Sequence, residues 1–371
     1  MLRLRGHLVR LEMPALTSED ARAAIYDILS DEQRHVFEAR RDLDFALDIP
    51  NVSRFRANIL DQGRGLAAVF RVIPTKIKTL EELGMPAVLK DLASRERGLI
   101  VVTGPTGSGK STTLAAMIDF INETRRGHIL TIEDPVEFVH ESKRCLVNQR
   151  EVGRHTGSFA AALRAALRED PDVILVGELR DLETTSLAIS ASETGHVVFA
   201  TLHTNSASKT IDRIIDIFPS IQQEQVRTML SESLEGVIAQ TLLPTKDGRG
   251  RVAALEVLVG VPALRNLIRE DKTAQILSVI QTGANQGMQS LDQSLRELFM
   301  AGKLSREEVM RRSSNPRLFE PSGPGSGAEI EPAAPPRPAP RPTLAATPGA
   351  TQSAAAGVAS VPARKPGLFG K

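Results

Sequence analysis

Residues Gly104-Pro105-Thr106-Gly107-Ser108-Gly109-Lys110-Ser111 constrain this chain more than any other stretch, because they form a complete phosphate-binding loop in the setting such a loop needs. Leu99-Ile100-Val101-Val102-Thr103 precede it, a short apolar run without polar alternation that reads as a buried parallel strand. Thr112 to Ile118 follow, with apolar residues at helical spacing. In a strand–loop–helix unit the glycines let successive backbone N–H groups curl round a β-phosphate. Lys110 then reaches the β- and γ-phosphates, and the Ser111 hydroxyl binds Mg²⁺. The nucleotide-binding set is therefore Gly104, Pro105, Thr106, Gly107, Ser108, Gly109, Lys110, Ser111 and Thr112, with ATP and Mg²⁺ as cofactors.

Composition narrows what such a protein acts on. The 371 residues carry 46 basic and 45 acidic side chains, a net charge of +1, so no global field draws in nucleic acid. There is no Trp, and Tyr26 is the single tyrosine, so stacking on bases would fall to Phe alone; this argues against a helicase. The lone Cys145 excludes an internal disulfide and a multi-cysteine zinc site, and reads as a small buried apolar residue. No apolar run approaches the length of a membrane span, and the N-terminus has no signal-peptide pattern. A cytoplasmic protein able to dock peripherally on a membrane complex is expected.

Along the chain, residues 1–72 form a first unit. A helix is predicted over Ser18–Glu38, announced by Thr17-Ser18-Glu19-Asp20, and strands over Leu43–Ile49, Ser53–Leu60 and Leu66–Val72. Asp61-Gln62-Gly63-Arg64-Gly65 joins the last two as a hairpin. Residues 73–85 form a linker, and 86–316 alternate short apolar strands with helices, the pattern of a mostly parallel sheet in an α/β fold. The predicted strands are Leu99–Thr103, His128–Glu133, Val173–Gly177, Val197–Thr201 and Val252–Val259. Lys246-Asp247-Gly248-Arg249-Gly250 reads as a hairpin turn before the last of them. Residues 317–371 are rich in Pro, Ala, Gly and Ser and too poor in large apolar residues to fold, so a disordered tail is expected.

Phosphate-loop chemistry needs acids to hold the metal through water and to orient an attacking water. Glu133, Asp134 and Glu137 compete for the second role from a loop broken by Pro135, at the C-terminal edge where α/β ligands bind. Glu178 follows Val173–Gly177, with Gly177 standing where most phosphate-loop enzymes end the strand on Asp. His196 and His203 are seven residues apart, roughly 23 Å along an extended strand, too far to share one ion without a turn. A histidine sensing the γ-phosphate or bonding across subunits fits better, and for His196 a core role stays open. Arg54, Arg56, Arg64 and Arg71 are candidates to stabilise charge on the γ-phosphate if the site lies between subunits.

Leu163-Arg164-Ala165-Ala166-Leu167-Arg168-Glu169-Asp170-Pro171-Asp172, running into Gly177-Glu178-Leu179-Arg180-Asp181, resembles the signature of the secretion-type ATPases that power pilus machines and type II secretion. Within that family Thr131–His140, Cys145–Val152, Glu193–Thr204 and Ala263–Glu270 are most similar to the type IV pilus retraction ATPases, over Met1 to about Phe319. The resemblance implies a homohexamer with a PAS-like N-terminal domain and a RecA-like ATPase domain. It implies Lys110 and Ser111 as Walker A residues, Glu178 as the Walker B glutamate, Glu137 as the catalytic glutamate, and His196 and His203 as a histidine box. With Arg56 and Arg71, the implied catalytic set is Glu137, Glu178, His203, Arg56 and Arg71, and the metal set Ser111 and Glu178. An inner-membrane platform protein and an accessory retraction ATPase are the implied partners, with no direct nucleic-acid partner. Relatives begin with an additional helix and strand, which places Met1 inside their first domain, and typical members lack the Pro/Ala tail. An assembly or secretion ATPase, an accessory retraction paralogue and a DNA-dependent motor are the alternatives. The lone Cys145 argues against the first, because those relatives often carry a four-cysteine zinc insertion.

Overall fold

The computed structural model describes residues 1–4, 7–50, 52–73 and 76–319. Of the tail expected to be disordered over 317–371, residues 317–319 are ordered instead, in a 3₁₀ turn over Pro316–Phe319 whose Phe319 is buried, and the rest, from 320 onward, lies outside the described residues.

The chain opens with a small antiparallel pair, β1 (Leu2–Leu4) and β2 (His7–Val9). Two helices follow, α1 (Ser18–Asp27) and α2 (Asp31–Arg40), where the sequence predicts one helix over Ser18–Glu38. The break is local chemistry. The Ser30 hydroxyl accepts the Gln33 N–H at 3.2 Å while Gln33 Oε1 accepts the Ser30 N–H at 3.0 Å, so a second helix starts on its own capping box. Next comes an antiparallel sheet of β3 (Asp42–Ile49), β4 (Ser53–Gln62) and β5 (Gly65–Ile73). Strand alternation sends Ala57 and Ile59 of β4 into a core with Ile25, Leu29, Phe37 and Phe45, and turns Arg54, Arg56 and Asn58 to the other face.

The larger part alternates helix and strand. Its elements are α3 (Val88–Ala93), β6 (Gly98–Thr103), α4 (Lys110–Thr124), β7 (His128–Glu133), β8 (Leu146–Glu151), α5 (Phe159–Ala166) and β9 (Val173–Val176). They continue through α6 (Leu182–Glu193), β10 (Val197–Thr201), α7 (Ala207–Asp216), α8 (Ser220–Ser233), β11 (Leu234–Pro244) and β12 (Arg251–Val259). The chain then packs α9 (Pro262–Arg269), α10 (Ile276–Thr282), α11 (Leu291–Met300) and α12 (Arg306–Arg312). The strand order is β12-β11-β6-β10-β9-β7-β8, parallel throughout except for β12 against β11. This is the α/β architecture expected from the alternation, with β6 inside the sheet between β11 and β10 and every one of its residues buried. Among the described residues no helix is long and apolar enough to cross a membrane.

β8 and β11 are absent from the sequence-based expectation, each for a physical reason. β8 closes the sheet and carries Asn148, Gln149, Arg150 and Glu151, so it lacks an apolar signature. β11 begins at the residue after α8 ends, with no loop between them: Ser231-Glu232-Ser233 still belong to the helix, and Glu235 and Gly236 already belong to the strand. Packing runs to Phe319, whose buried ring meets Phe299 edge-on at 6.0 Å in a cluster with Leu295, Leu304 and Val309. The arrangement puts the C-terminal ends of β6, β7, β9 and β10 along one sheet edge, where α/β ligands bind.

Candidate active site

The phosphate loop leaves β6 and enters α4, whose first residue is Lys110. Gly104 has φ +140°, and a Cβ there would sit 2.2 Å from the Gln240 carbonyl oxygen, so only glycine fits. Gln240, on β11, holds the loop from beneath: its Nε2 donates to the Ser108 carbonyl at 2.7 Å and its Oε1 accepts the Thr113 hydroxyl at 2.8 Å. Ser108 Oγ is buried with no hydrogen-bond partner among the described residues, an orphan that a phosphate oxygen satisfies. The free N–H groups at the start of α4 favour an anion in the same place. Lys110 Nζ donates to the carbonyls of Gly104 at 2.8 Å and Pro105 at 3.3 Å, and lies 3.3 Å from His203 Nδ1. Burial pushes its pKa down, against the opposing pull of Glu178 and Glu137.

Glu178 follows β9 across Gly177. A Cβ at Gly177 would lie 3.2 Å from the Ile132 carbonyl oxygen and 3.3 Å from the Glu133 Cα, a tight approach to β7 that favours glycine at the end of the strand. The acid moves one position on and is a longer one. Glu178 Oε1 lies 3.1 Å from His203 Nε2, and its Oε2 accepts Arg180 Nε at 2.8 Å. His203 therefore bridges Lys110 and Glu178.

The three acids after β7 separate by environment. Glu133 accepts the Thr131 hydroxyl at 2.7 Å and Gln149 Nε2 at 3.3 Å, and desolvation lifts its carboxyl to about 6. Asp134 is exposed and lies 3.9 Å from Arg180. Glu137 is half-buried, and its charge acts on both Lys110 and Glu133. His140 is buried with an unpartnered Nδ1, and desolvation holds its pKa down at about 4.

Other predicted residues lie elsewhere. His196 sits at the opposite end of β10 from His203, its Nδ1 3.0 Å from the Ala191 carbonyl. Arg56 and Arg71 are directly opposite on β4 and β5. Arg56 Nε is 4.0 Å from Asp44, and no hydrogen bond or ion pair among the described residues joins Arg56 or Arg71 to the phosphate loop. Arg64 is at the β4–β5 turn, and Arg54 reaches Glu151. Cys145 is buried, and burial pushes its thiol up. Sequence reasoning missed Gln240, whose signal was one amide inside the apolar run Val237–Leu243, and Gln149 and Glu151, whose strand it did not read.

Among the described residues no group of three or more His, Cys, Asp or Glu is arranged to hold a metal ion. Mg²⁺ needs no such cage, because it keeps waters and takes phosphates and one or two protein oxygens. Ser111, in the first turn of α4, and Glu178 fit that demand. Beside the loop lies a cavity of about 560 Å³, lined in part by Pro105, His203, Lys209, Thr241, Leu291 and Arg312.

Residues 2–311 match the family described as type II/IV secretion system protein. The chain belongs to this family. It is 58% identical over 319 residues to the type IV pilus retractation ATPase PilT of Pseudomonas aeruginosa, covering 86% of this chain and 92% of that protein. It is 55% identical over 315 residues to a twitching motility protein of Neisseria gonorrhoeae, covering 85% and 84%. A crystal structure of the pilus retraction motor PilT with bound ADP superposes with a TM-score of 0.79 at 50% identity, covering 85% of this chain and 90% of that one. Family membership thus rests on nearly all of the described residues and takes in all three sheets.

Proposed function

We propose that the chain is an ATP-hydrolysing motor that drives type IV pilus retraction as a homohexamer. The observation that carries this reading is the Lys110–His203–Glu178 chain at the phosphate loop, in a sequence 58% identical over 319 residues to a pilus retraction ATPase. In this reading residues 104–112 bind the phosphates of ATP, and Mg²⁺, held by Ser111 and by Glu178 through water, shields the charge that grows on them. Glu137 orients the attacking water and takes its proton. His203 contacts both Lys110 and Glu178, and so senses whether a γ-phosphate is in place. Arg56 and Arg71 enter the site of a neighbouring subunit. Two like charges directly opposite on adjacent strands destabilise the sheet alone, and an anionic partner offsets that cost.

The two mechanical parts are residues 1–72 and the ATPase domain 86–316, joined by 73–85, and hydrolysis turns one against the other. The ring works in the cytoplasm at the inner membrane, against the pilus platform protein, with an accessory retraction ATPase as a further partner.

The deciding experiment deletes the gene and scores surface pili and twitching. Excess pili with lost motility is the expected result. Bald cells, or normal pili with a secretion defect, would move the protein to an assembly or secretion role. In the purified protein, Lys110→Ala should lower ATP turnover at least about 100-fold, since a charge on the transferred phosphate loses its partner.

A further inference from the structure

β8 does more than close the sheet, because two of its side chains hold the loop that leaves β7. Gln149 Oε1 accepts the His140 N–H at 2.8 Å, and its Nε2 donates to the Phe138 carbonyl at 2.8 Å. Glu151 Oε2 accepts the N–H of Val136, the residue before Glu137, at 3.1 Å. Glu151 is buried, and that same oxygen lies 3.4 Å from Arg54 Nη2. Arg54 belongs to β4, on the face shared with Arg56 and, across the strands, Arg71. One carboxylate oxygen is therefore shared between the loop that carries Glu137 and the sheet that carries both arginines.

The pair is poorly built as a stabilising device. The Arg54 side chain is only 15% exposed, its Nε is buried without a hydrogen-bond partner among the described residues, and its carboxylate contacts to Glu151 and Asp48 are each 3.4 Å long. A buried pair with an unsatisfied donor gains little over an apolar packing of the same volume. It is well built as a contact that exists in one orientation of the sheet and is lost in another.

We propose that Arg54 and Glu151 are positioning residues, and that their ion pair ties the orientation of the β3–β5 sheet to the placement of Glu137 within the same subunit. The inference rests on the reading of Glu137 as the group that orients water. With Arg54 engaged, Glu151 is fixed from two sides and pins Val136, so Glu137 is held for the reaction. When the sheet turns and Arg54 leaves, Glu151 keeps only the Val136 N–H, and the stretch that carries Glu137 is held less firmly, with Gln149 still fixing Phe138 and His140 beyond it. Movement of the sheet and competence for hydrolysis are then coupled in cis, apart from any arginine supplied by a neighbour.

A double-mutant cycle on steady-state ATP hydrolysis by the full chain tests this. Arg54→Met keeps the side-chain length and removes the charge, while Glu151→Gln keeps an oxygen for Val136 and removes its hold on Arg54. Each is expected to lower kcat about tenfold with the ATP KM within about twofold, and the double variant to lose no more than either single, because all three break one link. Arg54→Lys, which keeps a cation, should recover part of the loss. A wild-type kcat in Arg54→Met, or losses that multiply to about 100-fold in the double variant, overturns the inference. Should Arg54→Met fail to fold, Arg54→Leu with Glu151→Gln carries the same cycle, since it too removes every donor that faces Glu151. Glu137→Gln serves as the control. If it abolishes turnover while Arg54→Met does not, the coupling alone fails; if it turns over normally, the reading of Glu137 fails first.

Discussion

Glu133 and His140 face one small cavity of about 40 Å³ beside Ser111, and desolvation moves them in opposite senses. The carboxyl of Glu133 rises from 4.5 to about 6, so its contribution to stability is fully present below 4.5 and is lost as pH rises through about 6. The imidazole of His140 falls from 6.5 to about 4, so its contribution is present above 6.5 and is lost as pH falls toward 4. Between those limits the two offset each other. Glu133→Gln should therefore show a steeper fall in thermal midpoint than the parent between pH 6.5 and 4.5, and His140→Gln a shallower one. Parallel curves for Glu133→Gln and the parent would mean that the Glu133 carboxyl is hydrated. At this scale the sequence marked the acids and could not rank them: Glu133 ends β7, Asp134 and Glu137 follow it in the loop, and only the tertiary contacts of Glu133 with Thr131 and Gln149, the approach of Arg180 to Asp134 and the pull of Glu137 on Lys110 set them apart.

Elements form where local signals agree and shift where a neighbour outweighs them. The Ser30–Gln33 capping box splits a stretch whose apolar residues otherwise run on through Phe37. Ser30→Ala should cost the start of α2 about 1 kcal/mol. The readout is amide exchange over Asp31–Arg40 faster by roughly fivefold, with β6 unchanged. Unchanged exchange in α2 would mean that packing on Phe37, not the cap, begins the helix. α9 is amphipathic, with Leu264 and Ile268 buried. Its Arg265, on the polar side of the helix, does not end in solvent. It donates to the Ser231 carbonyl at 2.9 Å and to the Glu232 carbonyl, capping the end of α8, and meets Glu235 Oε1 at 2.7 Å. A cation at a helix C-terminus is placed by the carbonyls it finds there, which no reading of α9 alone includes.

At the scale of the molecule, the face bearing Arg56 and Arg71 has no ion pair or hydrogen bond to the phosphate loop among the described residues, which fits their use by a neighbour in the proposed ring. Complementation gives the test. Arg56→Ala and Lys110→Ala should each be nearly inactive, and mixing the two after dissociating the subunits should restore measurable ATP turnover. Only rings that pair an intact Lys110 site with an intact Arg56 from the adjacent subunit regain activity. No recovery on mixing would put Arg56 to work within its own subunit, or outside the site.

What the sequence determined by itself was the chemistry and the class of fold. A glycine loop between an apolar run and a helix admits one arrangement, and alternating short apolar strands with helices specify a parallel sheet, because both depend on residues adjacent in the chain. Tertiary structure decided what depends on distant residues. β11 places Gln240 under a loop that begins 136 positions earlier, at Gly104, and closes the space above Gly104. β7 crowds the Cβ position at Gly177, and the acid stands one residue on, at Glu178. The Arg54–Glu151 contact joins residues 97 positions apart. These pairings carry no local periodicity, since their partners meet only when the sheet has formed.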